Sequence, residues 1–470
     1  MPGYPVRAPT NSSGGVQPRR QLSSETSLRL QETSRTPGSY LYLFRTSVKS
    51  GKFQCNIRRG TSIKASITHE PDRCREAGTE TVVDPSADTL VDPCIHATAT
   101  LYPDSERSSI QEAWQSLIRW SRLLRGRGGD KDDVLSRTRK IVVFGGGSFG
   151  TALASVLARR KLTMEVVLLI RDEKVCADIN ENRVNTRYLK EFRLPDNVRA
   201  TVDAAEAIRG AQFALLAVPC QHSRAFLRRI KPLVPPSLPI ICVSKGLELR
   251  TGDTMSDIIA SVLGRQQPTC FLSGPSFARE IMEQRPTGLV AASEDPCLAA
   301  RVQELMASDT LRINTSDDVV GVEICGALKN VLAIAAGIVD GMDLGHNAQA
   351  ALVVQGCAEI RWLAERMGAK PTTVSGLSGL GDIMLTCYVN LSRNRTVGLR
   401  LGAGEKLPDI LESLPQVAEG VATAGVVVAL ARKYRVQLPV LTAVAQVLGN
   451  ELGPKEAVQE IMQLPQVAER

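Results

Sequence analysis

Histidine is scarce in this chain, with four in 470 residues. Beyond residue 137 only His222 and His346 remain. A mechanism built on paired histidines, or a metal held by several, therefore has little to draw on. His222 follows Pro219 near a helix start and His346 sits in a Gly-His-Asn turn, both ordinary places for a solvated loop histidine. The eleven cysteines form no C-x-x-C pair. Cys94 lies near His96 and Cys220 near His222, but no four ligands fall at zinc-site spacing, so no metal centre is expected. Several cysteines stand in apolar runs, as Cys242 does in Ile240-Ile241-Cys242-Val243, which reads as buried reduced thiols instead of a disulfide framework. Aromatic residues make up 4% and are not interleaved with basic ones, which argues against a nucleic-acid partner. Long apolar runs are also missing. Val331 to Val339 is bounded by Asn330 and Asp340, far short of the roughly 20 residues of a membrane span.

Acids are nearly absent from the start of the chain. The first 60 residues hold ten Lys or Arg against Glu25 and Glu32, and they are rich in Ser and Thr. This is the composition of an organellar transit peptide. A disordered basic tail has the same letters; the lack of acids favours the first reading. Residues 1–100 show no sustained apolar period and are taken as a leader. Residues 101–136 read as a helix and a linker. Ile110, Trp114, Leu117 and Ile118 fall on one helical face, and Arg125-Gly126-Arg127-Gly128-Gly129-Asp130 breaks the pattern.

The chain as a whole is 43% apolar, and the part beyond residue 136 is globular sequence in two styles. From 137 to 314 short apolar runs (Lys140–Phe144, Glu165–Ile170, Phe213–Val218, Pro239–Val243, Thr269–Leu272) alternate with helical stretches. That alternation predicts a Rossmann-like, doubly wound parallel sheet. From 315 to 470 the pattern is helical throughout, including Val319–Val339 and Gln349–Met367, with Gly368 placed to end the second. An all-α domain is expected there. No internal repeat is present.

Gly145, Gly147 and Gly150 fit G-x-G-x-x-G between the first strand and the first helix. The first glycine permits the tight turn, the second lets backbone approach a pyrophosphate, and the third lets helix and strand pack closely. Amides at the helix start then face the phosphates. NAD(H) or NADP(H) is the expected cofactor. The end of the second strand, Ile170-Arg171-Asp172, offers both an acid for ribose hydroxyls and an arginine for a 2′-phosphate. Sequence leaves both open.

A dehydrogenase also needs a proton donor and acceptor. Lys329 lies in Glu323–Ile334, a helix apolar almost all round. Burial there would lower its pKa toward neutrality; a lysine snorkelling to the surface is the alternative. Lys245 follows the strand Ile240–Val243, at the strand end where open α/β sheets bind ligands. Ser273-Gly274-Pro275-Ser276-Phe277-Ala278 follows the next strand in the same way. Both segments also read as ordinary strand-to-helix loops. Asn390-Leu391-Ser392-Arg393-Asn394-Arg395 groups guanidinium, hydroxyl and amide donors that suit a phosphate, or form a solvated basic turn.

These segments, with Thr151-Ala152, Gly326-Ala327-Leu328-Lys329-Asn330 and Gly379-Leu380-Gly381-Asp382, stand in the order seen in NAD(P)-dependent glycerol-3-phosphate dehydrogenases. Residues 137 to 465 resemble that family. The basic leader and the helix around Trp114 and Trp120 look most like its plastid members. The resemblance implies interconversion of dihydroxyacetone phosphate and sn-glycerol 3-phosphate, supplying glycerolipid synthesis, in a homodimer of the plastid stroma; a cytoplasmic location is the alternative. It implies Lys329 and Lys245 as catalytic residues. Substrate would contact Lys245, Gly274, Ser276, Lys329, Asp382, Ser392, Arg393 and Asn394. Cofactor would contact Gly145, Gly147, Ser148, Phe149, Gly150, Arg171, Tyr188, Lys245, Ala278, Arg393, Val417 and Glu419. Gln349 departs from the pattern, since many members resembling this stretch carry lysine there. A related hydroxyacid or sugar-acid dehydrogenase is a rival reading, opposed by the Arg393 cluster and the Lys245 loop. A non-catalytic nucleotide-binding regulator is another, opposed by Lys245, Lys329 and Asp382 together.

Overall fold

A computed structural model describes residues 48–49, 52–53, 104–126, 133–414 and 416–465. The chain divides into two units, Met1–Leu101 and Tyr102–Arg470. Of the first, the strands Val48–Lys49 and Lys52–Phe53 pair antiparallel; the leader expected over 1–100 otherwise lies outside the described residues. The second unit opens with helix α1, Asp104–Gly126.

The sheet of the second unit has eight strands: β1 Lys140–Phe144, β2 Glu165–Leu169, β3 Val198–Thr201, β4 Phe213–Leu216, β5 Ile240–Cys242, β6 Thr269–Ser273, β7 Thr287–Ala292 and β8 Leu311–Ser316. Their spatial order is 8-7-6-5-4-1-2-3. The run 3-2-1-4-5-6 is that of the doubly wound dinucleotide fold, with its reversal between β1 and β4. All neighbours run parallel except β6 and β7, which pair antiparallel. The Rossmann-like, doubly wound parallel sheet expected from sequence is thus present, with one antiparallel pairing added toward its edge. A short crossover, Ala278–Met282, returns the chain beside β6 in the opposite sense.

Helices cover both faces, and the alternation of side chains feeds two cores. Ile141 and Val143 of β1 enter one, Val142 and Phe144 the other. This explains why the strands read as continuous apolar runs instead of alternating ones. Helix α2, Ser148–Arg160, follows β1 directly, and α3, Glu173–Asn182, follows β2.

After β8, Asp318 caps the long helix α4, Val319–Gly341, by accepting from the Gly321 amide at 2.9 Å. This helix is long and apolar enough to cross a membrane, yet it is almost wholly buried inside the protein, so it implies no span. Packed around it are α5 (Gly345–Arg366), α6 (Asp382–Tyr388), α7 (Arg393–Gly402), α8 (Glu419–Tyr434) and α9 (Pro439–Leu448). His346 lies in the first turn of α5, not in a separate loop turn as the Gly-His-Asn letters suggested. Gly368, with φ +99°, provides the left-handed residue just past that helix.

One buried carboxylate ties α5 to α9. Glu359 is fully buried and accepts from the Val440 and Leu441 amides, both at 3.0 Å. It serves the free amides at the start of a helix that begins with proline and has no side-chain cap. Burial pushes its carboxyl up to about 6. The folded chain therefore holds this proton to higher pH than the unfolded one, and the group's contribution weakens as pH rises from 4.5 through about 6. Glu359→Ala leaves both amides without an acceptor. A loss of about 2 kcal/mol in urea unfolding is expected, the penalty for stranding buried donors. An unchanged midpoint would show that water replaces the carboxylate.

Candidate active site

The reversal between β1 and β4 opens a crevice at the carboxyl ends of the strands. It widens into a cavity of about 1170 Å³, walled on one side by the sheet loops and on the other by α4, α6, α7 and the start of α8. That volume suits a dinucleotide with a small substrate beside it.

The glycine turn forms its floor. Gly145 has φ +103°, and a β-carbon there would stand 2.8 Å from the Ala217 carbonyl oxygen. A β-carbon on Gly150 would press on the Gly145 carbonyl oxygen and stand 3.0 Å from the Ala217 Cβ. At Gly147, by contrast, nothing lies within 4 Å of where a β-carbon would be. Gly147 is also the N-cap of α2 and brings no side chain to its amides. The open side of Gly147 and these uncapped helix amides form a cradle that fits a pyrophosphate.

Arg171 is exposed on the cavity wall with Tyr188 close by. Asp172 is already engaged. It caps α3 through the Lys174 and Val175 amides at 3.1 and 3.3 Å, and it pairs with Arg187 at 3.3 Å. Of the two residues left open by sequence, Arg171 is the one without such commitments among the contacts described.

Two lysines meet on one carboxylate at the far end of the cavity. Asp382 is buried. Its Oδ2 accepts from Lys245 Nζ at 2.7 Å and its Oδ1 from Lys329 Nζ at 2.8 Å. Lys329 is only 7% exposed. It also donates to Thr386 Oγ1 at 2.7 Å, and Thr386 donates to the Asp382 carbonyl at 2.6 Å. Lys245 donates further to the Gly274 carbonyl at 3.2 Å. Local sequence builds this geometry. Leu377–Gly381 winds as a π-helix directly before Asp382, a form that often marks functional sites. Gly326 leaves room on α4 for the Lys245 chain, whose Cγ lies 3.5 Å from where its β-carbon would sit.

Burial pushes Lys329 down, and Lys245 adds to this, while Asp382 opposes it; the result is about 8. Burial alone would raise Asp382, but the two ammonium groups outweigh it and hold the carboxylate below its usual range. The trio is thus a fixed anion between two cations, with one cation poised near neutral pH.

Ser392 caps α7 and so sets Arg393 and Asn394 at the mouth of the cavity. Arg393 donates to Gln416 Oε1 at 3.0 Å and to the Val417 carbonyl at 2.9 Å. Gln416 in turn donates to Ser148 Oγ at 2.9 Å, which links this wall to the glycine turn. Asn394 donates to Asn330 Oδ1 at 2.9 Å and accepts from the Gly420 amide at 3.0 Å. Glu419 lines the same wall; burial pushes it up to about 7, against the pull of Arg393 and both lysines.

Phe149, Ser276 and Ala278 also line the cavity, while Gly274 stands behind it through its carbonyl. Gln349 does not line it. Its side chain is buried against α4, with Nε2 3.5 Å from the Ala336 carbonyl. Its departure from the family pattern therefore lies away from this cavity. His222 does line it, although sequence gave no reason to favour it over a loop histidine. Thr386, Asn330 and Gln416 were not singled out from sequence. Thr386 meets Lys329, Asn330 meets Asn394 and Gln416 meets Ser148, each across a long stretch of chain that local sequence does not reveal. Among the described residues no group of three or more metal-binding side chains occurs.

Comparison with known proteins agrees with this arrangement. The models described as NAD-dependent glycerol-3-phosphate dehydrogenase N-terminus and C-terminus match residues 140–299 and 318–459. The chain is 61% identical over 361 residues to the rice protein "Glycerol-3-phosphate dehydrogenase [NAD(+)], chloroplastic", covering 77% of this chain and 82% of that one. It is 46% identical over 324 residues to "Glycerol-3-phosphate dehydrogenase [NAD(P)+]" of Oleidesulfovibrio alaskensis, covering 69% and 98%. The crystal structure of the glycerol-3-phosphate dehydrogenase from Coxiella burnetii superposes with a TM-score of 0.67 at 36% identity, over 70% of this chain and 99% of that one. The chain belongs to the NAD-dependent glycerol-3-phosphate dehydrogenase family.

Proposed function

We propose that this chain reduces dihydroxyacetone phosphate to sn-glycerol 3-phosphate, and catalyses the reverse, with either NADH or NADPH. The observation that carries the reading is the convergence of Lys245 and Lys329 on Asp382, in a cavity continuous with the Gly145–Gly150 cradle. When bound, nicotinamide supplies hydride to the carbonyl carbon. Lys329 gives a proton to the carbonyl oxygen, so C=O becomes CH–OH. Lys245 stabilises the negative charge developing on that oxygen. Arg393, with the donors of Ser392 and Asn394, holds the phosphate. Gly274 and Ser276 shape the substrate side, and Ala278, Val417 and Glu419 the cofactor side. Arg171 accommodates a 2′-phosphate, because the Asp172 carboxylate is spent on its helix cap and Arg187.

In this reading residues 137–314 form the cofactor domain and 315–470 the substrate domain. A homodimer is supported by the exposed Val354 and Trp362 of α5. A plastid stroma location is supported by the chloroplastic rice relative and the acid-poor leader. The product would feed glycerolipid synthesis there.

The test is loss of NADH or NADPH absorbance on adding dihydroxyacetone phosphate. Cofactor binding without such oxidation would overturn the enzymatic reading. A pH dependence follows from Lys329. Reduction needs its ammonium, so the reduction rate falls as pH rises through about 8. Oxidation of glycerol 3-phosphate needs the neutral amine and gains over the same range. Parallel profiles in the two directions would assign the proton to another group.

A further inference from the structure

We infer that Asn185 is a positioning residue for the dinucleotide: it locks the Gly146–Gly147 peptide so that the Gly147 N–H is aimed at the pyrophosphate. Asn185 is fully buried and does not line the cavity, so it acts from behind the glycine turn. Its Nδ2 donates to the Gly146 carbonyl at 2.9 Å and to Thr151 Oγ1 at 2.9 Å. A trans peptide directs its C=O and the following N–H to opposite sides. With the Gly146 carbonyl held toward the interior, the Gly147 N–H turns to the cavity that Gly147 lines. Among the described residues that N–H has no acceptor. It is left for a ligand.

The lock answers a local weakness. Both residues of this peptide are glycine, so no β-carbon resists its rotation. A flipped peptide would set a carbonyl oxygen against the phosphates. Asn185 reaches the turn from 39 residues along the chain, out of the hairpin formed by Val184–Asn185 and Leu189–Arg193. Its own carbonyl accepts from the Tyr188 amide at 3.3 Å, which closes the bend that brings Arg187 and Tyr188 to the cavity wall. One residue thus ties the phosphate turn to the wall beside Arg171. A role in packing alone accounts less well for an asparagine here. Its Oδ1 is buried without a partner, a cost that an apolar residue of similar size would avoid. What the amide supplies at this place is the donor to Gly146.

The inference rests on the dinucleotide site of the proposed function, and binding tests it without turnover. Full-length Asn185→Leu keeps the volume and removes the donor. Its Kd for NADH, read by fluorescence, should rise about ten- to a hundredfold, the span for losing a hydrogen bond to a charged group. Thr151→Val removes the other partner of Asn185 but leaves the Gly146 bond, so its Kd should stay near the parent's. Asn185→Asp is the decisive variant. Its carboxylate would face the Gly146 carbonyl and weaken binding. Burial raises the pKa of such a carboxyl, and once protonated its O–H donates to that carbonyl in place of the amide. Affinity for ADP-ribose, which carries the same pyrophosphate and survives acid, should therefore recover relative to the parent as pH falls from about 8 to about 5.5. Disturbed packing alone would give no such recovery. A parent-like Kd in Asn185→Leu, equal losses in Asn185→Leu and Thr151→Val, or an Asn185→Asp affinity that tracks the parent across pH would each overturn this inference alone. A parent protein that fails to bind NADH would overturn the dinucleotide site itself, and this inference with it.

Discussion

Lys329→Ala should lower turnover by about a thousandfold, the middle of the range for a positioned general acid, while leaving dinucleotide affinity unchanged. The separation of effects follows from geometry. Lys329 sits on α4 against Asp382 and Thr386, whereas the cradle for the pyrophosphate is the β1 turn on the opposite wall. The substitution also leaves the fold viable. Asp382 is buried, and a buried carboxylate stripped of all partners would be strongly destabilising. Here it keeps Lys245 at 2.7 Å. Asp382→Asn is the harsher change for stability, since it leaves two ammonium groups facing each other without an anion between them. Titration with NADH by fluorescence, alongside the rate of dihydroxyacetone phosphate reduction, checks the prediction. Turnover within tenfold of the parent would remove Lys329 from the proton-transfer role. Arg393→Ala gives the contrast: its loss should appear mainly as a raised KM for the phosphate substrate.

The difference between these two walls also explains what the letters alone could convey. The glycine turn is legible because its three glycines fall in a fixed pattern within six residues between a strand and a helix, although Ala217, which crowds Gly145 and Gly150, lies far along the chain. Burial of Lys329 is legible too, since Ile324 to Ile334 is apolar around the whole helix. Its partner is not. Asp382 is 53 residues away and Lys245 is 137 residues from Asp382. Only the fold makes these neighbours, and family resemblance named them without giving the pairing. Asp172 shows a signal present but unused. An aspartate directly before a helix is a preferred N-cap, which would have committed its carboxylate before any cofactor was considered. The strands β3, β7 and β8 lack the continuous apolar runs of β1 and β2: Arg199, Gly288 and Arg312 interrupt them. Lying toward the two edges of the sheet, they have less need of apolar residues on both faces.

Gly398→Val should destabilise the helical region by about 3 kcal/mol, the upper end for overpacking a closed interior. Helices α4 and α7 cross with their backbones in direct contact. Gly337 and Gly341 on one helix face Gly398 and Gly402 on the other, each pair spaced by four. That spacing places both glycines of a helix on one face and lets the axes approach closely. A β-carbon on Gly398 would press on the Ile334 carbonyl and stand 2.9 Å from the Ile338 amide nitrogen. These atoms are backbone of a buried helix and cannot swing aside, unlike the end of a flexible side chain. Valine adds two methyl groups to that conflict, so the helices must separate or tilt. The functional consequence is built into α7, whose first turn carries Arg393 and Asn394 and whose cap is Ser392. Displacing α7 from α4 also strains the Asn394–Asn330 bond that crosses the same interface. The expected result is a lower urea midpoint together with a raised KM for dihydroxyacetone phosphate in the protein that remains folded. Gly398→Ala should show both effects at smaller size. A valine variant with the parent's midpoint and KM would mean that the two helices do not depend on backbone contact to hold the phosphate-binding turn in place.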